Sequence, residues 1–296
     1  MVNTSTIQPL PANSLATRIP PHFYFFASAI FHYLGPAFAV LLFAHVSVLG
    51  VAWLRIASAA LIFAVWRRPW RIFKSLPTPQ RRLILAFGIV LGAMNTCFYI
   101  AISLLPLSTV GAIEFIGPVL LAAIGIRTHR NTLALIMAAA GGWILTGVQL
   151  SGQPIGLLFA FANCGLFMLY VILGHRIAQS NAPSSIDRLG LAMLIALVTV
   201  TPLGLIYAAP ALADPQLLLA GIVVGVSSSV IPYVFDQLAM KRLSRATFAL
   251  LLSLLPASAT VIGIFVLAQL PTYLELAGIA LIALAVAIHK EKPNGL

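Results

Sequence analysis

Charge is what this chain has least of. Only 8% of its 296 residues are Asp, Glu, Lys or Arg, against about 25% in a soluble globular domain. So few charges cannot clothe a water-facing surface, and 61% of the residues are hydrophobic, with a mean hydropathy of +1.05. The outer surface must face lipid. Acidic residues are scarcer still, 6 against 17 Lys and Arg, for a net charge of +11. The cations sit in short clusters between apolar runs, the pattern that orients membrane proteins; a nucleic-acid partner is excluded. Two cysteines, Cys97 and Cys164, lie in apolar stretches and read as small buried hydrophobes, with no disulfide framework or metal spacing. H-E-x-x-H, G-x-S-x-G, paired aspartates for a metal-bound pyrophosphate and a P-loop are all missing, which argues against a membrane enzyme and an ATP-driven pump. No charged ring or repeated filter sequence suggests a channel. No cofactor and no metal is expected.

What the chain has is long apolar runs. A transmembrane helix needs about 20 apolar residues, and ten stretches qualify: 23–43, 46–66, 83–103, 107–126, 131–149, 154–174, 189–208, 215–235, 245–267 and 272–289. In lipid every backbone polar group must be paired within its own segment, so these are predicted helices. The alternation of a β-barrel is absent. Residues 1–22 contain Pro9, Pro11, Pro20 and Pro21 and read as a disordered tail rather than a signal peptide. The basic residues fall in every second connection: Arg67 to Arg82, then Arg127 and Arg130, Arg176 and Arg188, Lys241 to Arg245, and Lys290 with Lys292. The alternate connections, near 44–46, 104–106, 150–153, 209–214 and 268–271, hold no Lys or Arg. The positive-inside rule then puts both termini in the cytoplasm.

An internal repeat supports this plan. At one constant spacing Ala101 matches Ala239, Leu105 Leu243, Thr109 Thr247, Pro118 Pro256, Ile124 Ile262 and Gly125 Gly263. The corner Ser103-Leu104-Leu105-Pro106-Leu107 is uncharged, whereas its counterpart reads Lys241-Arg242-Leu243-Ser244-Arg245. The same corner therefore lies on opposite sides in the two halves, as five helices per half require. The expected fold is all-α, ten transmembrane helices in two inverted five-helix repeats, 23–150 and 151–290, with a C-terminal tail at 291–296. Inverted repeats of this kind hold their cargo near the midplane between the halves.

Charges inside a span are functional candidates by default. Glu114 lies roughly 10 Å from the outer end of the fourth span at 1.5 Å per residue. Pro118, four residues on, has no N–H to return to the Glu114 carbonyl. Removal from water disfavours the charged form of a carboxyl, so Glu114 is read as a proton-coupling or amine-binding group, with a structural ion pair as the competing reading. Arg55 lies at similar depth in the second span; the two either pair or together hold a zwitterion, the Arg fork matching a carboxylate. Asp236 is read as an interfacial acid beside Lys241 and Arg242. Asn95 and Tyr99 on the third helix, Asn163 and Tyr170 on the sixth, and Tyr233 on the eighth are candidate cargo contacts, each equally able to bond a neighbouring helix. Pro118, Pro232 and Pro256 are candidate gating kinks. The Gly88/Gly92 and Gly221/Gly225 pairs read as close helix contacts rather than binding. His32 and His45 lack a partner at helical spacing and read as no ligand.

Several stretches together resemble a known family. The ten-helix plan is similar to that of the EamA-type drug/metabolite transporters. Ala112-Ile113-Glu114-Phe115-Ile116-Gly117-Pro118, Leu169-Tyr170-Val171-Ile172-Leu173-Gly174-His175-Arg176, and Pro232-Tyr233 running through Leu238-Ala239-Met240-Lys241-Arg242-Leu243 to Arg245-Ala246-Thr247-Phe248 resemble, more narrowly, the threonine/homoserine exporter branch. The resemblance implies a multi-pass protein of the bacterial inner membrane that exports small amino acids in exchange for protons without ATP. The implied partners are a small polar metabolite, protons and the lipid bilayer, with the chain a monomer or weak homodimer. Two departures stand out. Where the family carries Glu before its second-half proline, this chain has Leu255 before Pro256, and where Gly-Glu is common after the ninth helix it has Ala268-Gln269. Coupling is then expected to fall on Glu114 alone. A different cargo (an aromatic amino acid, a nucleoside or a cationic drug) is the alternative.

Overall fold

A computed structural model describes residues 21–114, 116–117, 128–149, 153–179, 185–242 and 255–288. Both predicted tails therefore lie outside the described residues apart from Pro21 and His22, and Pro21 opens the first helix. Every element among the described residues is helical: α1 (Pro21–Leu42), α2 (Val48–Arg67), the short α3 (Trp70–Phe73), α4 (Thr78–Leu104), α5 (Leu107–Glu114), α6 (His129–Gln149), α7 (Pro154–Gln179), α8 (Ser185–Ala213), α9 (Pro215–Gly225), a π-helical turn (Val226–Val230), α10 (Ile231–Arg242), α11 (Leu255–Leu267) and α12 (Tyr273–Ile288). Five of these units are long and apolar enough to cross a membrane: Val48–Arg67, Thr78–Leu104, Pro154–Ala178, Ser185–Ala213 and the composite Pro215–Arg242. Phe26–Leu42, Ser258–Leu267 and Tyr273–Ala285 are shorter apolar helices. Large apolar side chains such as Val65, Trp143, Ile206 and Phe265 point outward and exposed. In a soluble protein so much exposed apolar surface would drive aggregation; here it is the lipid-facing surface.

Local chemistry sets the helix ends. Asp214 accepts the N–H groups of Gln216 and Leu217 ahead of Pro215, an N-cap followed by proline at the first helical position. Thr272 and Glu275 form a reciprocal capping box at the start of α12: Glu275 Oε2 accepts from Thr272 N at 2.8 Å, and Thr272 Oγ1 from Glu275 N at 3.2 Å, filling two donors that a helix start leaves open.

The helices pack α2 on α8, α4 on both α7 and α8, α6 on α12, α1 on α10 and α11, α5 on α7 and α11, and α9 on α2. Connections rich in Lys and Arg meet at one end, where Arg67 Nε and Asp187 Oδ1 pair at 2.6 Å. At the opposite end the Leu107 N–H donates to Gln269 Oε1 at 3.0 Å. Glycine allows the closest crossings. The Gly88/Gly92 pair lies against α8, and Gly221/Gly225 against α2, where a side chain at Gly225 would collide with Ser58 and the Arg55 carbonyl. A Cβ at Gly35 would overlap the backbone of Ser228. These contacts bring α1, α2 and the π-turn together around Arg55.

Candidate functional site

The π-turn is the local irregularity from which the site is built. Pro232 has no N–H to return to the Ser228 carbonyl, and Ser227, Ser228 and Ser229 are all buried in the widened turn. Arg55, itself only 3% exposed, takes up what is freed. Its Nη2 donates to the Ser228 carbonyl at 2.7 Å and to Tyr233 Oη at 3.4 Å, and its Nε to Ser229 Oγ at 2.8 Å. The guanidinium also lies 5.1 Å from the Tyr99 ring centroid and 5.9 Å from that of Tyr233, within range of cation–π attraction. A guanidinium has five N–H donors; the contacts found use Nε and Nη2 and leave Nη1 without an acceptor among the described residues.

Glu114 faces the same space from α5. Its Oε1 accepts from Asn163 Nδ2 at 3.0 Å and its Oε2 from Tyr33 Oη at 3.2 Å. Of the two arrangements expected for Arg55 and Glu114, the direct pair is not formed: the Ser228 carbonyl and the Ser229 hydroxyl engage the guanidinium instead. The two nevertheless line one cavity, with His32, Met94, Asn95, Phe98, Asn163 and Tyr233. The cavity is ≈ 10 Å³ in volume, about room for a single water. Asn163 Oδ1 is buried there with no hydrogen-bond partner among the described residues. The cavity thus presents unused N–H donors on one wall and, on another, a carboxylate with an unused amide oxygen.

The other sequence candidates divide. Asn95 is held by protein on both sides, donating to the Leu91 carbonyl at 2.7 Å and accepting from Tyr233 Oη at 3.1 Å. Tyr99 lies under Arg55, with its hydroxyl 3.4 Å from Ser228 Oγ. Tyr170 does not line the cavity. It packs on the Tyr233 ring at 5.5 Å and donates to Asp236 Oδ2 at 2.9 Å. Pro118 lies outside the described residues. Pro256 is the second residue of α11, and the chain before Leu255 is likewise outside them.

One reading needs correction. Asp236 is not an interfacial acid: it is 6% exposed, because α1 and α7 cover the end of α10 where residue counting placed the membrane surface. His32, read as no ligand, joins no metal-holding group among the described residues, but it lines the cavity beside neighbours from other helices. The signal was present in Ser28, His32 and Gly35, a polar and small stripe at helical spacing on an apolar helix.

The end without Lys or Arg carries an open hollow of ≈ 520 Å³ lined by residues such as Phe43, Ile102, Leu105, Pro106 and Gln269. Phe43 stands edge-on to Tyr99 at 5.9 Å, so one aromatic layer separates the hollow from Arg55. Toward the basic end, Phe87, Phe167, Tyr170 and Tyr233 stack at 5.5 to 5.8 Å.

Residues 154–289 match the model of the EamA-like transporter family. The chain is 32% identical over 257 residues to the threonine/homoserine exporter RhtA of Salmonella typhimurium (strain LT2), covering 86% of this chain and 84% of that protein. It is 30% identical over 254 residues to RhtA of Escherichia coli (strain K12), covering 85% and 84%. A crystal structure of another protein, 21% identical, superposes with a TM-score of 0.57 over 90% of this chain and 95% of that one, a likeness of fold. With its apolar helices, this makes the chain a multi-pass membrane transporter and not an enzyme. It belongs to the EamA-type drug/metabolite transporters, in their threonine/homoserine exporter branch.

Proposed function

We propose that the protein exports small neutral amino acids of the threonine and homoserine type across the bacterial inner membrane, by proton antiport and alternating access. The observation that carries this reading is the cavity between Arg55 and Glu114. Arg55 Nη1 offers two N–H groups with no acceptor among the described residues, suited to an α-carboxylate. Glu114 and the unpartnered Asn163 Oδ1 suit an α-ammonium. A zwitterion meets both; a cationic drug would bring its charge toward Arg55. The cargo class follows that of the relatives, which are named threonine/homoserine exporters. In the conformation seen the cavity holds about one water, with aromatic layers on both sides, which fits an occluded step of a cycle that opens each side in turn.

The helix contacts support the ten-helix inverted repeat. Exchange α1 with α7, α2 with α8, α4 with the α9–α10 unit, α5 with α11 and α6 with α12. The contact α1–α10 then becomes α7–α4, α2–α9 becomes α8–α4, and α1–α11 becomes α7–α5, all of which occur. On this reading the end bearing Lys and Arg is cytoplasmic, as are both termini, and the open hollow faces outward. Binding tests it: threonine and homoserine should raise the Tm of the purified protein in detergent, and Arg55→Ala should remove the shift. Stabilisation by organic cations and none by amino acids would replace this cargo with the alternative one.

A further inference from the structure

Asp236 is a buried acid in the helical interior that the cavity does not use. Its hydrogen bonds match those of Glu114 in kind. Each carboxyl is held by one tyrosine hydroxyl and one other neutral group, and among the described residues neither forms an ion pair. Both also bridge the same two helices. Glu114 joins Tyr33 of α1 to Asn163 of α7, and Asp236 joins Ser28 of α1 to Tyr170 of α7. The partners on each helix are separated by 5 and 7 residues, roughly 7 to 10 Å along the bundle. One tie is at the cavity, the other nearer the basic end.

Hydrogen counting at Ser28 distinguishes two states of Asp236. Ser28 Oγ lies 2.5 Å from Asp236 Oδ1 and 3.2 Å from the Pro232 carbonyl oxygen. A hydroxyl has one hydrogen, so it cannot donate fully to both. With a proton on Oδ1, Asp236 donates to Ser28 and Ser28 donates to the carbonyl, filling both contacts. Without it, Ser28 turns its hydrogen to the carboxylate and releases the carbonyl beside the π-turn. The ionisable groups on the surrounding helices are His22, Tyr24, His32 and Tyr33 on α1, Cys164, Tyr170, His175 and Arg176 on α7, and Asp187, Arg188 and Tyr207 on α8. Tyr233, Lys241 and Arg242 share its own helix. Of these, Tyr170 donates to the carboxyl.

We propose that Asp236 is a second proton-carrying carboxyl of the transport cycle, the cytoplasm-side counterpart of Glu114, whose loading closes and whose unloading opens the Ser28–Pro232 contact between α1 and α10 at the inner end of the cavity. This rests on the proton-antiport reading above. The proton is exchanged with water at that end, and only an O–H bond is made or broken. The carboxyl keeps Ser28 and Tyr170 in both states, so its proton controls the hold of α1 on the helix that follows the π-turn, at a different depth from the tie at Glu114.

The test compares two fluxes of labelled threonine in proteoliposomes: exchange across equal pH, and accumulation driven by a proton gradient. In Asp236→Asn the ratio of driven to exchange flux should fall about tenfold or more, and Asp236→Glu should keep the ratio while moving the pH of half-maximal flux. An unchanged ratio in Asp236→Asn, even with both fluxes reduced, would make Asp236 a structural group and overturn the proposal. So would an Asp236→Glu profile identical to that of the wild type, which decides the matter if the Asn variant fails to fold. A wild-type protein that exchanges label but ignores the gradient overturns the antiport reading, and this one falls with it.

Discussion

Glu114 and Asp236 occupy comparable surroundings and differ in what lies beside them. Both are nearly inaccessible, 2% and 6% exposed, and both are hydrogen-bonded by tyrosine. Glu114 shares a cavity with Arg55 and an unpartnered amide oxygen, whereas Asp236 lies behind the stack of Tyr170 and Tyr233. Burial and bonding therefore do not separate a cargo site from a proton or structural site; the unused donors and acceptors around the acid do. By that criterion Glu114 is able to meet cargo directly and Asp236 is not.

Four sets of substitutions sharpen or break this contrast. Arg55→Ala carries the largest expected effect. It removes the carboxylate anchor and strips the Ser228 carbonyl of its charged donor, costing about 3 kcal/mol or more of cargo affinity; threonine affinity by calorimetry measures it, and Arg55→Lys should rescue little, since an ammonium cannot reproduce the fork. Glu114→Gln should leave gradient-driven flux at background and weaken threonine binding as well. An equal loss of threonine binding in Asp236→Asn would erase the contrast. Tyr33→Phe and Tyr170→Phe each delete one hydroxyl from a buried carboxyl, about 1 to 3 kcal/mol in stability. In thermal melts the two should cost similar amounts, but only Tyr33→Phe should alter threonine affinity. The smallest effect is expected at Ala268, which sits at φ 52°, a left-handed conformation that glycine adopts without the penalty of a Cβ. Ala268→Gly should stabilise by about 1 kcal/mol, read as a modest rise in Tm with unchanged flux.

The residue after Ala268 accounts for one departure from the family pattern. Gln269, where an acid is common, gives its side-chain oxygen to the Leu107 N–H at 3.0 Å. It covers an open donor at the start of α5, a place a carboxylate would also favour, so in this chain the residue anchors the helix that carries Glu114.

The helical segments and the Arg55–Glu114 cavity were legible in the sequence because both follow from one-dimensional rules: run length, and the rarity of charge within a run. Glu114 and Arg55 were placed at similar depth by counting residues, and they do line one cavity. The rules fail where a neighbouring helix decides. Asp236 is six residues from the end of α10, where counting predicts headgroups, but α1 and α7 extend past it. For Tyr170 the sequence leaves a cargo contact and a bond to a neighbouring helix equally open, and the structure gives it the second, to the misread acid. Depth alone leaves open whether Arg55 and Glu114 pair directly or together hold a zwitterion; the Ser228 carbonyl and the Ser229 hydroxyl, which take up the guanidinium in place of a direct pair, come from another helix. No pattern in the sequence announces a π-turn, although Pro232 marks the carbonyl it frees.

The most direct test of the account is gradient-driven accumulation of labelled threonine in proteoliposomes containing the wild-type chain, beside vesicles containing Glu114→Gln. The account predicts saturable accumulation against a concentration gradient when a proton gradient is imposed, collapse of that accumulation when the proton gradient is dissipated, and none in the variant. Saturable threonine flux that ignores the proton gradient and survives in Glu114→Gln would contradict it.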